Sequence, residues 1–176
     1  MGINRLNHAV LYVRDADRTA AFYEDVLGFS RVTMGGGEPI RGAVFLQAPG
    51  STNDHDLGVF SIGSQAGPSP AGRSTVGLYH LAWEVDTLDD LGQLAAALSE
   101  RGALMGASDH STTKSLYAKD PDGIEFEVAW VVPADRLDDA TLAGRSTIRP
   151  LDLEAEKARY GPHTPGGIGI SRPAPA

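Results

Sequence analysis

Two histidines sit in apolar runs that alternate as strands do. RLNHAVLYV, residues 5–13, carries His8, and LYHLAWEV, residues 78–85, carries His80. In the second run Leu78, His80, Ala82 and Glu84 share one strand face, and Tyr79, Leu81, Trp83 and Val85 share the other. A single histidine in such a run reads as a hydrogen-bonded core residue; two in matched positions read as a site. Carboxylates follow in IEFEVAWVV, residues 124–132, where Glu125 and Glu127 share a face opposite Ile124, Phe126 and Val128. A strand glutamate surrounded by apolar neighbours is costly unless it is paired or ligated. The separation from His8 to His55 is 47 residues, and so is that from His80 to Glu127. Two imidazoles and one carboxylate with open positions suit a non-haem Fe(II) centre, and more broadly Mn, Ni, Co or Zn. These residues alone leave the choice between Glu125 and Glu127 open.

Other polar side chains gather near these runs. Tyr117 lies in KSLYAKD, ten residues before Glu127. It reads either as a strand aromatic or as a phenol donating to a substrate oxygen. His55 follows the turn STND and opens a strand, as a ligand, an acid–base group or a strand-end histidine. His110 lies on the polar loop SDHSTTK, where exposure is the default. Asp120, Pro121 and Gly123 form a turn signal. His163, near the C-terminus, takes no role.

The elements that must position these groups form a repeat. Each histidine strand is followed by an acidic or Thr cap, an amphipathic helix and a glycine stop. The first helix uses Asp15 or Asp17 as cap, buries Ala20, Ala21, Tyr23, Val26 and Leu27, and ends at Gly28. The second uses Asp86 or Thr87, carries Leu88, Leu91, Leu94, Ala95 and Leu98 as its apolar stripe, and ends at Gly102. Short strands follow at 29–34, 41–48 and 55–62 in the first half, and at 103–107, 114–119 and 124–132 in the second. The fold class is α+β, two β-α-β-β-β modules over about 4–63 and 78–132, joined by the Gly/Pro/Ser-rich linker 64–77. Residues 133–160 contain two short helical segments, and 161–176 read as a mobile tail.

The 176 residues are enough for one domain with a core. A formal net charge of −8 disfavours nucleic acid and anionic membranes as partners. The absence of cysteine excludes disulfides and thiolate metal sites. No apolar stretch is long enough to span a membrane, and the opening MGINRLNHAV lacks a signal-peptide core, so a cytoplasmic protein is expected. No phosphate-binding loop, nucleophile elbow or DNA-reading helix is present.

LNHAVLYVRDADRTAAFYEDVLGF, LYHLAWEVDTLDDL and SLYAKDPDGIEFEVAW together resemble the vicinal oxygen chelate superfamily over residues 4–132. This group contains glyoxalase I, bleomycin-resistance proteins, fosfomycin-resistance transferases and extradiol ring-cleavage dioxygenases. The resemblance implies two βαβββ modules in one domain over 1–132, forming a half-open barrel around a divalent metal. It implies His8, His80 and Glu127 as ligands, Glu127 being the glutamate that follows DPDG at the family's spacing. NDHDLGVF is similar to a strand of extradiol dioxygenases whose histidine is an acid–base catalyst, which implies that role for His55. Tyr117 matches their active-site tyrosine and His110 a histidine behind it. The expected activity is Fe(II)-dependent cleavage of an aromatic diol by dioxygen, in a protein that forms a homodimer as family members often do. A Lewis-acid lyase, isomerase or thiol transferase using Mn, Ni, Co or Zn is the alternative, with His55 as a possible fourth ligand. A metal-free drug-binding protein is the third.

Overall fold

The computed structural model describes residues 2–3, 5–34, 40–72 and 74–167. The MGGGEP turn expected before the third strand lies largely outside them, as does the tail beyond 167. The chain divides into two compact units. One comprises residues 1–70 with 120–124, and the other 71–119 with 125–176.

The first unit begins with β1 (Ala9–Val13), α1 (Ala16–Leu27), β2 (Ser30–Val32), β3 (Ala43–Gln47) and β4 (Leu57–Ser61). Alternation sends Leu11 and Val13 into the core and leaves Val10 and Tyr12 exposed. The Asp15 side chain accepts from the Arg18 N–H and starts α1; Gly28, at φ 71°, stops it. That left-handed conformation favours glycine. Ala16, Thr19, Ala20, Tyr23 and Val26 form the buried helix face, whereas Ala21 points to solvent. Ala16 and Thr19 replace it because the face extends back to the first turn. The sheet order is β1-β4-β3-β2, with β1 parallel to β4 and the other pairs antiparallel. In this unit Arg14 Nη1 donates to Asp122 Oδ1 at 2.6 Å, and the Arg14 N–H donates to Asp122 Oδ2.

The second unit repeats the order with β5 (His80–Glu84), α2 (Leu88–Glu100), β6 (Leu104–Asp109), β7 (Thr113–Lys119) and β8 (Glu125–Val131). The Thr87 hydroxyl accepts from the Asp90 N–H and caps α2, whose Leu88, Leu91 and Leu98 are fully buried. Each such leucine contributes roughly 1.5–3 kcal/mol relative to exposure. The sheet order is β5-β8-β7-β6-β9, with β5 parallel to β8.

The last strand, β9 (Arg149–Pro150), belongs to a C-terminal extension that also holds a short 3₁₀ turn (Ala134–Arg136), α3 (Asp139–Gly144) and α4 (Leu153–Tyr160). The strand was not expected: two residues are too few to show a period. Tyr160 packs on Trp130 with ring centroids 5.3 Å apart. Lys157 pairs with Asp89 of α2 at 3.2 Å. Gly92 permits this close approach, since a Cβ there would stand 3.2 Å from Leu153. Residues 161–167, at the start of the stretch expected as a mobile tail, make contacts with β8. There the Thr164 carbonyl accepts from Trp130 Nε1, and the Gly167 N–H donates to the Val131 carbonyl. These backbone partners are invisible in a Gly/Pro-rich composition. No helix among the described residues is long and apolar enough to cross a membrane.

Candidate functional site

Within the second unit, the sheet brings four of the expected side chains into a row. His80 opens β5 and is half-buried. Its register partner on β8 is Glu125, yet His80 Nε2 lies 3.1 Å from Glu127 Oε2. Glu125 instead reaches Lys119 at 3.4 Å and is the more exposed of the two. Tyr117 is the antiparallel partner of Glu127 across β7 and β8. Its phenol pKa is raised, first by burial and then by the neighbouring Glu127 carboxylate. His110 follows β6, and its Nε2 is 2.8 Å from Tyr117 Oη. His110 is therefore half-buried and paired, not the exposed loop residue its polar surroundings suggested.

The His80–Glu127 pair does not satisfy the imidazole. His80 Nδ1 is buried without a hydrogen-bond partner. A core histidine normally has both nitrogens accommodated. One imidazole nitrogen and one carboxylate oxygen, converging beside a phenol, fit two donors of a divalent cation site.

The first unit carries the other two candidate histidines. His8 lies one residue before β1 and is exposed, whereas alternation had put it inside the strand. The ladder begins only at Ala9, paired with Leu57. His8 Nδ1 lies 2.8 Å from Asn7 Oδ1, and its ring is 4.4 Å from that of His55. His55 is buried, packs edge-on against Phe45 and has Nδ1 3.2 Å from Asp54 Oδ2. An acceptor at Nδ1 favours the tautomer with a free Nε2 lone pair, the form of a general base. Asp54, Asn7 and Phe45 were not singled out from sequence; Asp54 could have been, as the acidic neighbour of a candidate base.

The matched 47-residue spacings do not mark matched places. With His8 set against His80, the residue two further on pairs with Gly58 in the first unit and with Glu127 in the second. His55 precedes β4 altogether. Among the described residues, no three His, Asp or Glu side chains gather as a metal-holding group. His80 and Glu127 supply two donors in one unit, and His8 belongs to the other.

The sequence profile of the Glyoxalase/Bleomycin resistance protein/Dioxygenase superfamily matches residues 5–128. The chain belongs to this superfamily. The catechol-2,3-dioxygenase of Bacillus subtilis (strain 168) is 31% identical over 123 residues, covering 70% of this chain and 40% of that protein. A biphenyl-2,3-diol 1,2-dioxygenase of Metapseudomonas furukawaii is 29% identical over 175 residues, covering 92% of this chain and 54% of that protein. The chain thus spans about half the length of the curated relatives it matches. Among solved structures, a glyoxylase/bleomycin resistance protein/dioxygenase domain from Frankia sp. EAN1pec has a TM-score of 0.58 at 22% identity, over 73% of this chain and 92% of that one. A fosfomycin resistance protein from Mesorhizobium loti has a TM-score of 0.51 at 21% identity, over 73% and 92%. These neighbours share the α+β fold of the Glyoxalase/Bleomycin resistance protein/Dioxygenase superfamily, whose members differ in activity.

Proposed function

We propose that this protein is an extradiol dioxygenase that opens a catechol-type ring with dioxygen, using Fe(II) with His80 and Glu127 among its ligands, His8 being the further ligand that the family resemblance implies. The observation that carries this is the row His80–Glu127–Tyr117–His110, in which a candidate ligand pair adjoins a protonated phenol held by an imidazole. The likeness to catechol and biphenyl-diol dioxygenases supports the substrate class. The proposal includes a cytoplasmic, homodimeric protein with a single catalytic domain over residues 1–132 and the extension behind it.

Fe(II), when bound, supplies the electron transfer between an aromatic diol and dioxygen that amino-acid side chains do not provide. The protein's own groups do the rest. His55, with Asp54 on Nδ1, takes a proton from a diol hydroxyl at Nε2 and later returns it. Tyr117 keeps its proton and donates a hydrogen bond to a substrate oxygen. His110 Nε2 fixes the direction of the Tyr117 hydroxyl. The half-buried setting of His80 and Glu127 limits the water that competes for these contacts.

The test is oxygen uptake by Fe(II)-loaded protein across a panel of substituted catechols. Uptake matching diol loss, with a ring-opened product, is expected. No uptake with any diol would sink the assignment. Oxygen-independent turnover of a carbonyl–thiol adduct with Mn, Ni, Co or Zn would replace it with the Lewis-acid alternative.

A further inference from the structure

Lys114 lies on β7, three residues before Tyr117, and its side chain is 1% exposed. A buried ammonium is tolerated only when paired. Its Nζ is 2.5 Å from Asp109 Oδ1 and 3.0 Å from Glu156 Oε2. Asp109 ends β6, and His110 is the next residue. The same Asp109 Oδ1 accepts from the Ser111 N–H at 2.7 Å. Ser111 has φ 68°, the one non-glycine residue with positive φ among those described. Such a backbone persists only where its surroundings hold it. Burial pushes the Asp109 carboxyl up, but Lys114, the Ser111 N–H and Arg149 more than offset this and leave its pKa below the usual carboxylate value. One oxygen therefore serves both the buried lysine and the strained turn.

The C-terminal extension grips this hairpin at three places. Glu156 of α4 shares the Lys114 charge. Arg149 of β9 pairs with Asp109 in the ladder and places Nη1 3.6 Å from Asp109 Oδ2. Gly144 of α3 lies so close to Ser111 that an added Cβ would stand 2.6 Å from Oγ. Arg149 and Gly144 meet the two residues flanking His110, and Glu156 reaches them through Lys114; the His110 N–H donates to the Thr113 carbonyl and its carbonyl accepts from the Thr112 N–H.

We propose that Glu156, acting through Lys114 and Asp109, is a positioning residue that holds His110 on the Tyr117 hydroxyl. Its effect on catalysis rests on the dioxygenase assignment; its effect on the His110 ring does not. Without the Glu156 charge, Lys114 draws fully on Asp109, the Ser111 turn loses its share of that oxygen, and His110 leaves Tyr117.

The test compares the full-length wild type with Glu156→Gln. Imidazole nitrogen NMR of the metal-free protein should show one hydrogen-bonded tautomer for His110 in the wild type and exchanging tautomers in the variant, with the amide spectrum elsewhere retained. In the Fe(II)-loaded protein, kcat/KM for a catechol should fall about tenfold on Glu156→Gln, and less than about twofold when Tyr117→Phe is already present. Should Glu156→Gln not fold, Glu156→Asp, which keeps the charge but withdraws it from Lys114, takes its place in both measurements. An unchanged His110 ring, or equal losses in both Tyr117 backgrounds, overturns the proposal. Absence of catechol turnover together with the expected ring change overturns the dioxygenase assignment and leaves the positioning role standing.

Discussion

His80 Nε2 meets Glu127 Oε2 at 3.1 Å, although Glu125 is the residue opposite His80 in the parallel ladder. Glu125 is drawn to Lys119, its partner on the antiparallel side. Two glutamates on one strand face are thus sorted by what the next strand offers each of them.

That sorting sets the first expectation. Glu127→Ala should lower iron content far more than Glu125→Ala. Losing an inner ligand should exceed the roughly 10–100-fold affinity cost of disturbing an outer one. Elemental analysis of protein purified without air or chelators measures it; equal iron in the two variants would refute the role of Glu127.

Tyr117→Phe removes one donor and leaves the ring. A fall in kcat of about a hundredfold, with KM little changed, is expected for a group acting mainly on developing charge. Because the phenol pKa is raised, Tyr117 remains a donor throughout the neutral range. An alkaline limb in the rate profile below pH 10 that disappears in Tyr117→Phe would contradict this.

Asp120 gives a pH signature in stability. Burial pushes its carboxyl up from 3.8 to about 6, partly offset by the backbone N–H groups of Ile124 and Asp122. The folded state therefore favours the protonated form. That contribution is fully present below the unfolded value of 3.8 and is lost as pH rises through about 6. Between pH 4 and 7 it amounts to about 2–3 kcal/mol at most. Asp120→Asn retains an acceptor for the turn and should abolish this slope. Urea unfolding at both pH values decides it, since parallel curves for wild type and variant would exclude Asp120 as the source.

Asp122→Ala leaves Arg14 without its 2.6 Å partner and the Arg14 N–H without its acceptor. A loss of about 2–3 kcal/mol is expected from hydrogen bonds to a charged, largely buried carboxylate. An unchanged urea midpoint would show that solvent replaces both contacts.

Much of this architecture is legible in the sequence because local chemistry sets it. Asp15, Gly28 and Thr87 act at the helix ends where their side chains or φ preferences put them. Phe126 and Val128 turn inward as alternation requires. What escaped was decided between elements. The choice of Glu127 by His80 depends on a diagonal across two strands, and Lys119 on a third strand removes the competitor. Equal spacings of 47 residues conceal unequal registers, because insertions between strands alter numbering without altering pairing. The pairing of His110 with Tyr117 comes from a hairpin whose positive-φ residue is a serine. The contacts of residues 161–167 with β8 rest on backbone groups that no side-chain pattern announces.

The two-residue strand β9 has a consequence beyond geometry. It lies along the outer side of β6, and one of its two residues is Pro150, which has no N–H to offer a further strand. Its other residue, Arg149, is half exposed and charged. A sheet margin bearing an imino acid and a guanidinium is a poor template for another chain. The extension thereby protects this edge against strand-by-strand aggregation while the protein is folded.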